Sequence, residues 1–206
     1  MRTPITALAL TLAVAVPLTA QAKQKTVEHV KIVGDTAVAS WDYTEGNTLT
    51  FVNLVATLNN VKDENGKTQD AFVSLAISQS DLVTGNVLIT GVAYSSEFDF
   101  HVDNDLKMAF LHVNDAIFQD DNSFTFFNVD IDLNWNATAE ATSQHSHEQF
   151  REPGLKINSQ FKGEFRDAQA SGSIFGKDIQ FAPMPSTSGQ LQQNKFGSVT
   201  ITTGKP

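Results

Sequence analysis

Apolar and polar side chains alternate along most of this sequence with a period of two residues. The alternation is clearest in Phe127–Trp135, where every second residue is apolar and the residues between them are asparagines and aspartates, among them Asp132. Successive side chains of a β-strand point to opposite faces, so the pattern predicts a strand with one face on a core and the other in water. Trp135, like Trp41 in an earlier run, falls on the apolar face and is predicted to be a core residue.

The same alternation recurs in further runs of strand length, separated by turn sequences such as Asp63-Glu64-Asn65-Gly66. In the last of these runs, residues 155–166, the pattern predicts that Phe161 and Phe165 face the core, whereas Lys156 and Lys162 lie on the solvated face. The sequence therefore predicts an all-β fold, either an antiparallel β-sandwich or a closed β-barrel, which share this pattern. The further runs are 35–43, 48–58, 71–79, 86–92, 97–102, 106–113 and 155–166.

The size of the chain is enough for one stable domain. It has 206 residues, of which 41% are hydrophobic and 18% are charged, and it contains no cysteine. We expect a single all-β domain over residues 23–206, large enough to bury a sufficient core without disulfides. The lack of cysteine excludes thiol nucleophiles and zinc–thiolate sites.

Residues 1–22 have the organisation of a signal peptide. Arg2 precedes an apolar stretch from Ile5 to Val16, and Ala20-Gln21-Ala22 has the small-x-small pattern of a signal-peptidase site. The apolar stretch is shorter than the roughly 20 residues that a membrane-spanning helix needs. We expect cleavage after Ala22, no transmembrane segment after signal removal, and export to the periplasm or the extracellular space.

The overall charge bears on the kind of partner. Fourteen lysine and arginine residues against 23 aspartate and glutamate residues give a formal net charge of −9. Sequence-independent binding to nucleic acid or to an anionic lipid surface requires a basic footprint. The balance therefore predicts no nucleic acid partner, and we expect an unidentified ligand or protein instead.

Two polar segments, 137–153 and 182–194, lack the alternation and are predicted to be irregular. Long irregular connections are often functional, and the first of them contains His145-Ser146-His147 followed by Glu152. On a strand, residues i and i+2 share a face, so both imidazoles could approach one metal ion. The odd spacing from His147 puts Glu152 on the opposite face of a regular strand.

This His-x-His and Glu stretch resembles the first motif of the cupins, which are metal-binding β-barrels. The resemblance implies a metal-dependent enzyme as an alternative function, with His145, His147 and Glu152 as metal ligands. The sequence departs from the motif at Ala139, where the family has glycine, and no histidine follows His147 to supply the later ligand. We expect no tight metal site and no cofactor, with this segment forming an exposed loop or a strand edge.

The stretch 132–172 is similar to exported bacterial all-β proteins of unknown function, a resemblance that implies no activity and no site residues. The usual motifs of nucleophilic and nucleotide-dependent enzymes are missing from the sequence. We therefore expect a non-catalytic binding module or a surface or matrix module, and the cupin-like segment leaves enzymatic activity open. The similarity is carried by Leu133-Asn134-Trp135, Ser146-His147, Pro153-Gly154, Asn158-Ser159, Phe161, Gly163 and Ala170-Ser171-Gly172.

Overall fold

The computed structural model describes residues 25–176, 179–180 and 187–203. The predicted signal peptide and its cleavage site lie outside these residues, as do residues 181–186 of the second polar segment. Every regular element in the described part is a β-strand, which confirms the all-β prediction. That part of the chain contains no apolar helix of membrane-spanning length.

The described strands all belong to one antiparallel sheet. They are β1 (Lys25–Glu45), β2 (Thr48–Asp63), β3 (Gly66–Asp81), β4 (Val87–Ser95), β5 (Asp99–Val102), β6 (Met108–Asp120), β7 (Thr125–Ala137), β8 (Thr142–Glu152), β9 (Leu155–Gly176), β10 (Ile179–Gln180) and β11 (Ser188–Thr203).

Eight of these strands close into a hydrogen-bonded ring. The order around the ring is β1, β2, β3, β4, β6, β7, β9 and β11, and β11 pairs with β1 to complete it. The seam between β4 and β6 is short, since it pairs only Gly91–Tyr94 with Ile117–Asp120. Within the described residues, the sheet is therefore continuous and closes on itself.

The core fills the interior of this ring. Trp41 and Trp135 are 3% and 0% exposed, which confirms that both are core residues. The Trp135 indole Nε1 donates a hydrogen bond of 2.9 Å to the Val38 carbonyl oxygen, and this bond connects β7 with β1 across the interior. In the second strand, alternation predicts an inward set of Val52, Leu54, Ala56 and Leu58; the first three are buried and Leu58 is half-buried.

Several strands continue beyond the core and form a six-stranded curved sheet, which we call the extension. Its order is β3, β2, β1, β11, β9 and β8. Along one edge of β9, residues 168–176 pair with β7 and residues 155–165 pair with β8. We call the face that is continuous with the core the inner face of the extension. The extension comprises 25–34, 58–63, 66–71, 142–152, 155–165 and 194–203.

The prediction that 137–153 and 182–194 are irregular is wrong for most of their described residues. Residues 142–152 form β8, and residues 188–194 belong to β11. Strand β8 is exposed along its whole length and pairs, within the described residues, only with β9, which confirms the expected strand edge at 145–152. Burial therefore imposes no apolar alternation on it. It forms a strand because the backbone of β9 offers it hydrogen-bond partners. Sequence periodicity reflects the burial of side chains and therefore does not reveal this backbone pairing.

Candidate functional site

Positive charge is concentrated on the inner face of the extension. Because opposite residues of antiparallel strands share a face, the strand registers assign each basic residue to a face without ambiguity. Of the ten lysine and arginine residues that the structure describes, eight lie there. Arg166 lies just past the edge of the extension, with its guanidinium 3.9 Å from the Glu140 carboxylate, and Lys107 lies elsewhere. On the outer face lie acidic residues, among them Glu28, Asp70, Glu148 and Glu152. The basic inner-face residues are Lys25, Lys31, Lys62, Lys67, Arg151, Lys156, Lys162 and Lys195, and Glu164 lies on the same face.

The registers also place like charges directly opposite one another. Lys62 on β2 lies between Lys31 on β1 and Lys67 on β3. Further along the sheet, Lys162 on β9 lies opposite Lys195 on β11. Like charges at directly opposed positions destabilise a sheet. The ion pair with Glu164 offsets this cost at Lys162. Among the described residues no ion pair offsets it at Lys31, Lys62 and Lys67, so folding alone does not account for that group. Departures from local stability rules are typical of functional sites.

A cavity of about 1090 Å³ lies against this face, and we call it the basic groove. In its middle is Gly197, opposite Lys31 on one side and Gln160 on the other. A Cβ atom on Gly197 would meet only the Val30 carbonyl oxygen, at 4.0 Å, so the floor of the groove is open at this point. The lining residues are His29, Val30, Lys31, Lys62, Asp63, Glu64, His145, Ser146, His147, Asn158, Gln160, Phe161, Lys162, Lys195, Phe196, Gly197, Ser198 and Val199.

Two carboxylates near the groove are already engaged within the protein. The Lys162 Nζ lies 2.5 Å from the Glu164 Oε1. The hydrogen bond from Lys162 holds the pKa of Glu164 below its usual value, although burial alone would raise it. The charges of Lys195 and His145 also lower this pKa. The Asp63 Oδ1 accepts hydrogen bonds from the turn amides of Asn65 and Gly66. Neither carboxylate forms an ion pair with Lys31, Lys62 or Lys195.

The predicted histidine pair lies at the edge of the basic groove. His145 and His147 share the inner face of β8, opposite Lys162 and Gln160 of β9 respectively. Glu152 lies at the end of β8 on the outer face, so the structure does not bring it to the two imidazoles. Among the described residues, no three histidine or acidic side chains are grouped as metal ligands.

The sequence interpretation of 155–166 is wrong about its faces. The buried Ala168 and Ala170 show which side of β9 faces the core. By alternation, Lys156 and Lys162 lie on that inner side, and Phe161 and Phe165 lie on the outer side. The inversion arises because this part of β9 runs past the core, so its apolar face no longer marks the interior.

The chain matches none of the protein-family models and none of the curated proteins with which it was compared. Similarity to proteins of known activity therefore assigns no role to the basic groove. Its function has to be inferred from its own geometry and charge.

Lys62→Glu is expected to stabilise the fold. The substitution converts two opposed like-charge pairs, with Lys31 and Lys67, into opposite-charge pairs, and we expect a gain of about 0.5–1 kcal/mol in the free energy of unfolding. Urea denaturation at low salt measures the gain, which should shrink at high salt because exposed charges are screened. Lys107→Glu is the control, because it breaks the ion pair of Lys107 with Asp105 and should not stabilise the protein. A loss of stability in Lys62→Glu at low salt would show that these lysines do not repel one another.

Proposed function

We propose that this protein is a non-catalytic binding module whose basic groove binds an anionic ligand. The observation that carries the proposal is the concentration of basic side chains on one face of a chain whose net charge is −9. Opposed lysines cost stability in the free protein, and a bound anion would convert that repulsion into attraction. The groove also has an open floor at Gly197, which leaves room for a ligand at its centre.

The positive charge of the groove matters more for anion binding than the negative net charge of the whole chain. A net negative protein repels polyanions at long range, but attraction at short range depends on the surface that the ligand meets. The acidic residues of the extension lie mainly on its outer face, on the other side of the sheet. An anion can therefore bind this face even though the whole chain is acidic.

The metal-dependent alternative has less support from the geometry. His145 and His147 could approach one ion together, but a catalytic metal site usually takes three protein ligands. The side chain opposite His145 is Lys162, whose ammonium group repels a metal cation, and Glu152 lies on the other face. The same arrangement suits an anion, for which lysine and imidazole N–H groups are donors.

Inorganic tripolyphosphate is a compact probe for the groove. We expect calorimetric titration to show one binding site, and Lys195→Glu to weaken it roughly tenfold or more, since a charge that attracts the anion is replaced by one that repels it. Lys107→Glu makes the same change in net charge outside the groove and should leave the affinity nearly unchanged. Equal losses in the two variants would indicate a general charge effect and would refute the groove as the site.

Gly197→Leu tests the groove without changing any charge. Its Cβ enters open space, so the fold should tolerate the substitution, whereas the side chain should occupy the floor of the groove. We expect weaker tripolyphosphate binding with little change in thermal stability. A Gly197→Leu variant that binds as the parent protein does would place the anion elsewhere.

A further inference from the structure

Basic side chains follow one another across the entire width of the extension. Lys67 on β3, Lys62 on β2 and Lys31 on β1 are directly opposed. The series continues two residues further along the strands, with Lys195 on β11 and with Lys162 on β9, which is also paired with Glu164 on the same face. His145, opposite Lys162, extends it to β8. We call this series the cation track.

The spacing of the cation track is set by the sheet. Neighbouring strands lie about 4.8 Å apart, so the track offers one donor at each such step over about 24 Å. This step is of the size of one sugar ring. A compact anion can contact only part of such a series, whereas a linear polymer with one negative group on each unit can contact all of it.

The neutral side chains beside the cation track narrow the class of polymer. Asn158, Gln160 and Asn60 lie on the inner face, and amide groups donate to and accept from hydroxyl groups. Alternation directs the side chains of Phe161 and Phe196 to the outer face, and the described inner-face positions of the extension hold no phenylalanine, tyrosine or tryptophan. Single-stranded nucleic acids are typically held by base stacking on aromatic residues. At the described inner-face positions the only aromatic rings are the imidazoles of His29, His145 and His147, which offer a smaller stacking surface than phenylalanine, tyrosine or tryptophan.

Building on the proposed anion-binding function, we infer that the ligand is a linear acidic polysaccharide that lies across the strands along the cation track. Each lysine contacts the acidic group of one sugar, and the amides contact hydroxyl groups between them. The polymer runs from Lys67 to His145, perpendicular to the strands.

Oligogalacturonates of defined length test this inference, because they carry one carboxylate on every sugar. We expect the affinity to rise steeply from the monomer to the hexamer and then to level off, since the extension has six strands. The salt dependence of hexamer binding should also become shallower with each lysine removed, because each lost contact releases fewer counterions.

Lys67→Gln separates this inference from the proposed function. Lys67 belongs to the cation track but not to the lining of the basic groove. We expect the substitution to weaken hexamer binding roughly threefold to fivefold, the upper part of the range for an exposed ion pair, and to leave tripolyphosphate binding unchanged. Lys107→Gln is the matched control and should affect neither probe.

Three outcomes would overturn the inference. Equal affinity for the trimer and the hexamer, with no effect of Lys67→Gln, would leave an anion-binding groove that takes a compact ligand. Tighter binding of a single-stranded oligonucleotide of equal charge would identify a different polyanion. Equal binding of neutral oligosaccharides, without any binding of tripolyphosphate, would refute both the inference and the proposed function.

Discussion

Trp135→Ala is expected to lower the free energy of unfolding by about 3–5 kcal/mol, the usual cost of emptying a large buried aromatic site. Trp135 is fully buried, and its ring packs so closely that a Cβ on Gly189 would lie 3.2 Å from its Cδ1 atom. The substitution also removes the hydrogen bond to the Val38 carbonyl oxygen. Denaturant titration followed by far-ultraviolet circular dichroism measures the loss.

Asp132→Ala on the same strand is the control for Trp135→Ala. Asp132 lies on the exposed outer face of β7, so its replacement should change stability by no more than about 0.5 kcal/mol. Should Asp132→Ala prove the more damaging of the two, the assignment of faces along β7 would be inverted.

Gly91→Ala is expected to destabilise the protein by about 3 kcal/mol or more, at the upper end of the cost of overpacking. A Cβ on Gly91 would lie 1.8 Å from the Gln119 carbonyl oxygen and 2.8 Å from its carbonyl carbon. These are backbone atoms, so β4 and β6 would have to move apart. Their seam pairs only four residues on each strand, and it is where we expect the ring to open.

Gly197→Ala makes the same chemical change at a position with open space. Its Cβ would meet only a carbonyl oxygen at 4.0 Å, so we expect unchanged or slightly increased stability. Denaturant titration and the yield of folded protein compare the two variants. If both substitutions cost the same, the close approach of β4 to β6 would not be what requires glycine at position 91.

Much of the fold follows from alternation alone. The period of two residues in 35–43, 48–58 and 127–135 is sufficient to predict strands and the burial of Trp41 and Trp135. Those segments lie beside the core, where burial of one face demands an apolar residue at every second position. The sequence is equally sufficient to exclude cysteine chemistry.

The candidate site is a different matter, because its lysines come from strands far apart in the chain. Lys31, Lys62, Lys162 and Lys195 become neighbours only through pairing registers, which long-range hydrogen bonds determine. Their face is decided by where each strand meets the core, and in β9 that is at Ala168, beyond the alternating run. Past the edge of the core, neither face of a strand has to be buried, so the polarity of a side chain no longer shows whether it points inward or outward. The basic face of 155–166 therefore has the sequence pattern of an ordinary solvated surface. This face becomes the wall of a groove only because the closed sheet brings the ends of six strands to one side.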